Sequence, residues 1–276
     1  RIILSENRPF SMETAACDEE YEPSSEYDSS FALQIFAARE AVFKILAKES
    51  LSIHEKLIVI LDMGSKIQQC INTDEYDNIK SVVNDYLKEG IAHTLDETRN
   101  LSDSGQFEDI SLQQGIRQIL YPYEEMEVLN PEWEVILKDI IDSLFEQMSD
   151  EEYNILNEEF GTYMVSRAYE YRQLLEYFVF RYFAKSIYDY DFLGKCQMLV
   201  TNFFVIRQMD IIRWLDNHRE YSFKDRMDVV HIFSRQVEYS EDNIENLYED
   251  FIFDDIFKTD SLIAILWLSL IHISEP

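Results

Sequence analysis

The chain has 276 residues, 46% of them hydrophobic, with 54 acidic against 24 basic side chains for a formal charge of −30. A surface that negative repels phosphate backbones and anionic lipid, which argues against nucleic acid and membrane surfaces as partners. It suits a cationic partner such as a lysine-bearing protein, or simply keeps an aromatic-rich chain soluble. Six Gly and five Pro, with no Pro between Trp133 and Glu275, exclude turn-rich sandwiches and barrels and point to long helices.

Residues 1–30 include the acidic, Ser-rich "SMETAACDEEYEPSSEYDSS" and read as a linker leading in from a segment upstream of Arg1. The chain opens on Arg1 without an initiator Met and reads as an internal fragment. Helical periodicity begins at Phe31 in "FALQIFAAREAVFKILAK", with Leu33, Phe36, Val42 and Leu46 among its apolar positions. "SIHE" at 52–55 is a capping box, and the helix after it turns Leu57, Leu61 and Ile67 to the core. A shorter helix over roughly 75–88 carries Ile79, Val82, Val83 and Tyr86 on one side.

The polar stretch 96–110, with Gly105, reads as an exposed loop or subdomain break, followed by a short helix over 111–120. Asn130–Pro131 starts an amphipathic helix through Trp133, Ile136, Leu137, Ile140 and Leu144. "SDEE" at 149–152 opens the next, expected to reach about Tyr188 with a bend at Gly161. Within it "LLEYFVFRYFAKSIYDYDFLG", 174–194, is too long and unbroken for a strand, and Glu176, Arg181 and Lys185 interrupt it as a membrane span. Gly194 ends the connection to a second apolar helix, "CQMLVTNFFVIRQMDIIRWL". The expected fold is all-α, a multi-helix bundle over 31–260 with these two largely buried antiparallel helices at its centre. "SFKD" at 222–225 opens a further helix with an apolar seam of Val230, Phe233, Val237, Ile244, Leu247 and Phe251. In the tail, 261–276, "LSLIHISEP" resembles translated adapter read-through, so no function is placed after about residue 265.

Three features could carry chemistry. Arg207, Asp210 and Arg213 recur every three residues on the second apolar helix, within an arc about 120° wide. Asp210 flanked by two guanidinium groups is either an anion-binding cluster facing a pocket or a structural salt-bridge network. Arg181 and Lys185 either pair with Asp189, Asp191 or Glu176, or reach the surface with their stems on aromatic rings. Asp228, His231, Arg235, Glu238 and Asp242 form a polar stripe that is either a solvated face or a pocket wall with His231 as an acid–base group. Cys17, Cys70 and Cys196 lie too far apart for a zinc site or a disulfide framework and fit a reducing cytoplasm. Nucleotide-binding glycine loops and a nucleophile elbow are missing.

Four stretches in order carry a resemblance: "FRYF", the "D-LGK" type connection at 191–195, "RQMDIIRWL", and "DVVHIFSRQVEYSEDN". With "LSIHEKLIVIL" and "RIILSENRPF" they resemble the C-terminal part of flagellin lysine-N-methylase proteins; Gln236 and Tyr239 are minor variants. The resemblance implies methyl transfer from S-adenosylmethionine to lysine side chains of flagellin. It also implies an iron–sulfur cluster, held by an N-terminal cysteine-rich segment that would precede Arg1 rather than by this chain. It makes Arg181, Arg207, Asp210, Arg213, His231, Arg235 and Glu238 the expected lining of a substrate or cofactor pocket. Glu238 or Asp210, with His231, would orient the amine and accept its proton; Arg207 or Arg213, with Arg181 and Arg235, would bind the donor. The competing expectation is a non-catalytic acidic docking module for a cationic protein.

Overall fold

The computed structural model describes residues 29–103 and 110–271, and every regular element among them is helical. The lead-in over 1–28 with Cys17, residues 104–109 with Gly105, and residues 272–276 lie outside the described residues. The chain divides into two compact units. The N-terminal unit holds the described residues up to Leu95 together with Tyr169–Cys196; the C-terminal unit holds Asp96–Ala168 and the chain from Gln197 on.

In the N-terminal unit, α1 (Ser29–Leu46) buries Phe31, Ile35, Ala38, Val42 and Ile45, a stripe at helical spacing, while Leu33 and Phe36 stay exposed. The Ser52 capping box forms as read. The Ser52 hydroxyl accepts from the Glu55 amide at 3.2 Å, and the Glu55 carboxylate accepts from the Ser52 amide at 2.8 Å. It starts α2 (Ile53–Asn72), which buries Leu57, Leu61 and Ile67. A 3₁₀ turn at 76–78 leads into α3 (Ile79–Asp85), a π-turn at 86–90 and α4 (Ile91–Asp103). The helical run from 76 therefore continues to 103, through most of the stretch expected to be loop. Its apolar residues, led by buried Leu95, are spaced widely enough to look like polar loop in the sequence.

The run opened by "SDEE" is broken, but not at Gly161. α7 (Asp150–Met164) ends in a 3₁₀ turn at 165–167, α8 (Ala168–Tyr182) in another at 183–185, and α9 (Ser186–Asp189) stops at Tyr190, whose φ is 56°. Next comes α10 (Phe192–Asp216), buried at every residue from Gly194 to Ile212. Gly194 does not end the connection. It sits in the first turn of α10, where the Asp191 carboxylate accepts its amide at 2.8 Å. A Cβ there would fall 2.0 Å from Asp191 Oδ2, so only glycine admits that cap. Asp189 and Asp191 serve neither Arg181 nor Lys185. They hold Lys195, whose side chain is 1% exposed, at 2.7 and 3.5 Å, and Glu176 pairs with Arg172 at 2.8 Å. Arg181 and Lys185 are exposed and lie over the Tyr182 ring, the snorkelling arrangement.

In the C-terminal unit, α5 (Leu112–Glu124) is capped by Ser111, and α6 (Pro131–Ile140) by Asn130, followed by a π-turn at 141–146. A capping box of Ser149 and Glu152 opens α7. After α10 come α11 (Phe223–Phe233), a π-turn at 234–238, α12 (Glu241–Phe253), a 3₁₀ turn at 255–257 and α13 (Thr259–Ile271). The tail set aside in the sequence packs through this last helix. Leu262, Ile265, Leu266 and Trp267 are buried, and Gly115 approaches Ile265 so closely that a Cβ would stand 2.8 Å from its Cγ1. Among the described residues no helix is long and apolar enough to cross a membrane.

Candidate functional site

The site lies within the C-terminal unit, where three helix segments leave a cleft of about 550 Å³. α6 contributes Glu132, Val135, Ile136 and Asp139, which share one face at three-four spacing. The last turns of α10 contribute Ile212, Arg213 and Asp216, and α11 contributes Asp228, His231 and Ile232. The aliphatic floor is formed by the buried Ile136, Ile212 and Ile232, while Val135 is exposed. The rim carries four carboxylates, one guanidinium and one imidazole.

The packing beneath explains why these three segments meet. Trp133 of α6 and Phe233 of α11 touch edge to face at 6.3 Å, and the Trp133 indole donates to the Tyr123 carbonyl at 3.2 Å. Gln236, turned inward by the π-turn, clasps the lead-in to α6. Its side-chain oxygen accepts from the amides of Leu129 and Asn130 at 2.9 and 3.2 Å, and its nitrogen donates to the Glu127 carbonyl at 2.7 Å. Asn243 adds bonds to both main-chain groups of Glu127.

A buried ionic cluster joins α10 to α11. Arg226 donates to Asp210 Oδ2 at 2.5 Å with both side chains 0% exposed, the Tyr221 hydroxyl donates to Asp210 Oδ1, and the Arg226 guanidinium lies 5.3 Å from the Tyr221 ring centre. Asp210 is thus matched by Arg226, not by the arginines three residues to either side. Arg207 is engaged by Asn157 at 2.8 and 2.9 Å, over the Phe160 ring.

Of the residues expected to line a pocket, Arg213 and His231 stand at the cleft, with Asp228 of the same polar stripe. Arg207 and Asp210 are buried, 3% and 0% exposed, and do not line it. Glu238 is also buried. The π-turn adds a residue to the helical repeat, rotates Glu238 off the polar face, and leaves it accepting from the Ser234 hydroxyl at 2.6 Å. Arg235 is exposed and is not part of the cleft lining; Arg181 is exposed in the N-terminal unit. Sequence reading missed Glu132, Asp139 and Asp216 at the rim, and Arg226 in the buried pair with Asp210. Arg226 was detectable: it shares a stripe with Val229 and Phe233, and a cation on an apolar face requires a carboxylate.

Electrostatics around the cleft are set by its neighbours. Burial pushes the Asp225 carboxyl up, but the Ser222 hydroxyl and amide, the Asn217 amide and the charge of Arg213 outweigh it and hold the group below its usual range. Burial pushes the phenols of Tyr123 and Tyr153 well up, so they act as neutral donors, Tyr153 to Gln208 at 2.9 Å. The Cys196 thiol is fully buried, and burial pushes it well above its ordinary value. Cys70 is also free and buried, and no group of three or more His, Cys, Asp or Glu suited to a metal occurs among the described residues. These cysteines do not fit an iron–sulfur cluster. The polar rim offers one guanidinium to a carboxylate and four acids to cationic or hydroxyl groups.

Three comparisons bear on this architecture. No curated protein matches the chain significantly, and no solved structure does. A family model, the FliB lysine N-methylase C-terminal domain, matches residues 39–266, a span that covers most of both units and the whole cleft. The chain therefore belongs to the FliB lysine N-methylase C-terminal domain family.

Proposed function

We propose that this chain is the part of a flagellin lysine N-methylase that receives the substrate lysine, in the cleft of α6, α10 and α11, for methylation by S-adenosylmethionine. Family membership supports the activity class; the observation that carries the location is the meeting of His231, Arg213 and four carboxylates over an aliphatic floor. A lysine arrives as an ammonium ion, and rim acids on three helices attract it. The amine must lose its proton before it is a nucleophile. His231, one turn after Asp228 on α11, is the base at the rim. Arg213 holds the donor through its carboxylate. When bound, S-adenosylmethionine supplies the electrophilic methyl group. Replacing Arg213 or His231 by Ala in the enzyme that contains this chain lowers methyl-label incorporation into flagellin at least about tenfold with helicity retained; unchanged incorporation by both variants rejects the assignment.

The abundance of rim carboxylates favours a second reading, docking without chemistry, because acids around an ammonium keep it protonated. Calorimetric titration of S-adenosylmethionine separates the two. Donor binding that His231→Ala retains and Arg213→Ala loses supports catalysis here. Flagellin binding with no donor binding supports docking.

A further inference from the structure

We infer that Arg226 is the positioning residue of the cleft: through its buried pair with Asp210 it fixes Arg213 and His231 relative to each other. This rests on the reading of the cleft above. The pair joins the two helices that carry those groups, since Asp210 lies three residues before Arg213 on α10 and Arg226 five before His231 on α11. Both oxygens of Asp210 are used, Oδ2 by Arg226 and Oδ1 by Tyr221 in the connection between the helices. That connection is short and tightly wound: His218 and Arg219 both have positive φ, 57° and 69°, the Tyr221 amide donates to the Tyr163 hydroxyl at 2.9 Å, and Arg167 lies over the Tyr221 ring. Arg226 is 0% exposed, so it acts on a ligand only through other residues.

Stability alone does not explain such a pair. Desolvating two charges offsets most of their attraction, and apolar groups of similar volume stabilise a fold as well or better. An ion pair with one angular solution instead selects one register between two helices. Sliding α11 along α10 would move His231 and Asp228 past Arg213 and change the rim while leaving a packed interface.

The test replaces the network by apolar groups, Asp210→Leu, Tyr221→Phe and Arg226→Met together, in the whole chain. The expected product keeps its helicity and melts within about 5 °C of the parent. Its His231 imidazole NMR signals change position as Arg213, Asp228 and the other rim acids shift around the ring. Its affinity for a lysine-bearing flagellin peptide falls at least about tenfold. Should the triple variant fail to fold, Arg226→Lys carries the test. It keeps the charge, loses the planar fork, and displaces the same His231 NMR signals by less. A folded variant whose His231 NMR signals match the parent's overturns the inference. A parent that binds no peptide overturns the lysine reading, and the His231 comparison still decides the positioning role.

Discussion

Each unit buries a cation against carboxylates along α10, and the two arrangements differ in what water can reach. In the N-terminal unit Lys195 is buried, but its partners Asp189 and Asp191 are 44% and 39% exposed, and Asp191 also caps the helix start. In the C-terminal unit Asp210 and Arg226 are both sealed from solvent. The first cluster shapes a turn and can lose its cation to water. The second joins two helices of the cleft and cannot lose one partner without stranding the other. Burial of both members, not the bare presence of a salt bridge, separates the second cluster from the first.

The sharpest break of this comparison is a set of three substitutions. Arg226→Met leaves Asp210 charged in the interior and should cost about 3–5 kcal/mol in urea denaturation. Gly194→Ala displaces the Asp191 cap, and with it one of the Lys195 contacts, for about 1–2 kcal/mol. Lys195→Met leaves two aspartates that water already reaches and should cost at most about 1 kcal/mol. Equal losses for Arg226→Met and Lys195→Met would erase the distinction.

A smaller effect sharpens the contrast through pH. Burial first, then the hydrogen bond to Asp62, pushes the Tyr86 phenol from 10.0 to about 12. Its folded value lies above its unfolded value, so its contribution is complete below about pH 10 and is lost as pH rises toward 12. Tyr86→Phe should flatten that alkaline loss in a melting series without touching the cleft. Asp225 has the opposite sense. Its folded value is depressed, so the cap of α11 contributes above the ordinary carboxylate range and fails as pH falls through the lowered value.

What the sequence made legible follows from which forces are local. Caps at Ser52, Asn130, Ser149 and Ser222 were readable because the bonds span two or three residues. The all-α class followed from periodicity and the scarcity of breakers. Arg213, Asp228 and His231 were flagged from spacing, and they meet at one cleft. The rest depended on tertiary geometry. Asp210's partner stands sixteen residues away, and no spacing rule within one helix finds it. The π-turn at 234–238 adds a residue that shifts the phase of every later position, so Glu238 was placed on the wrong face. The break after Met164 comes from a 3₁₀ turn with no glycine or proline to announce it.

The central claim is that the cleft of α6, α10 and α11 receives a basic side chain. NMR perturbation mapping with a lysine-bearing flagellin peptide tests it most directly. The account predicts saturable shifts centred on Arg213, Asp228 and His231, with Glu132 across the cleft, which disappear when the peptide's lysine is acetylated. Shifts confined to other surfaces, or unchanged by acetylation, would contradict it.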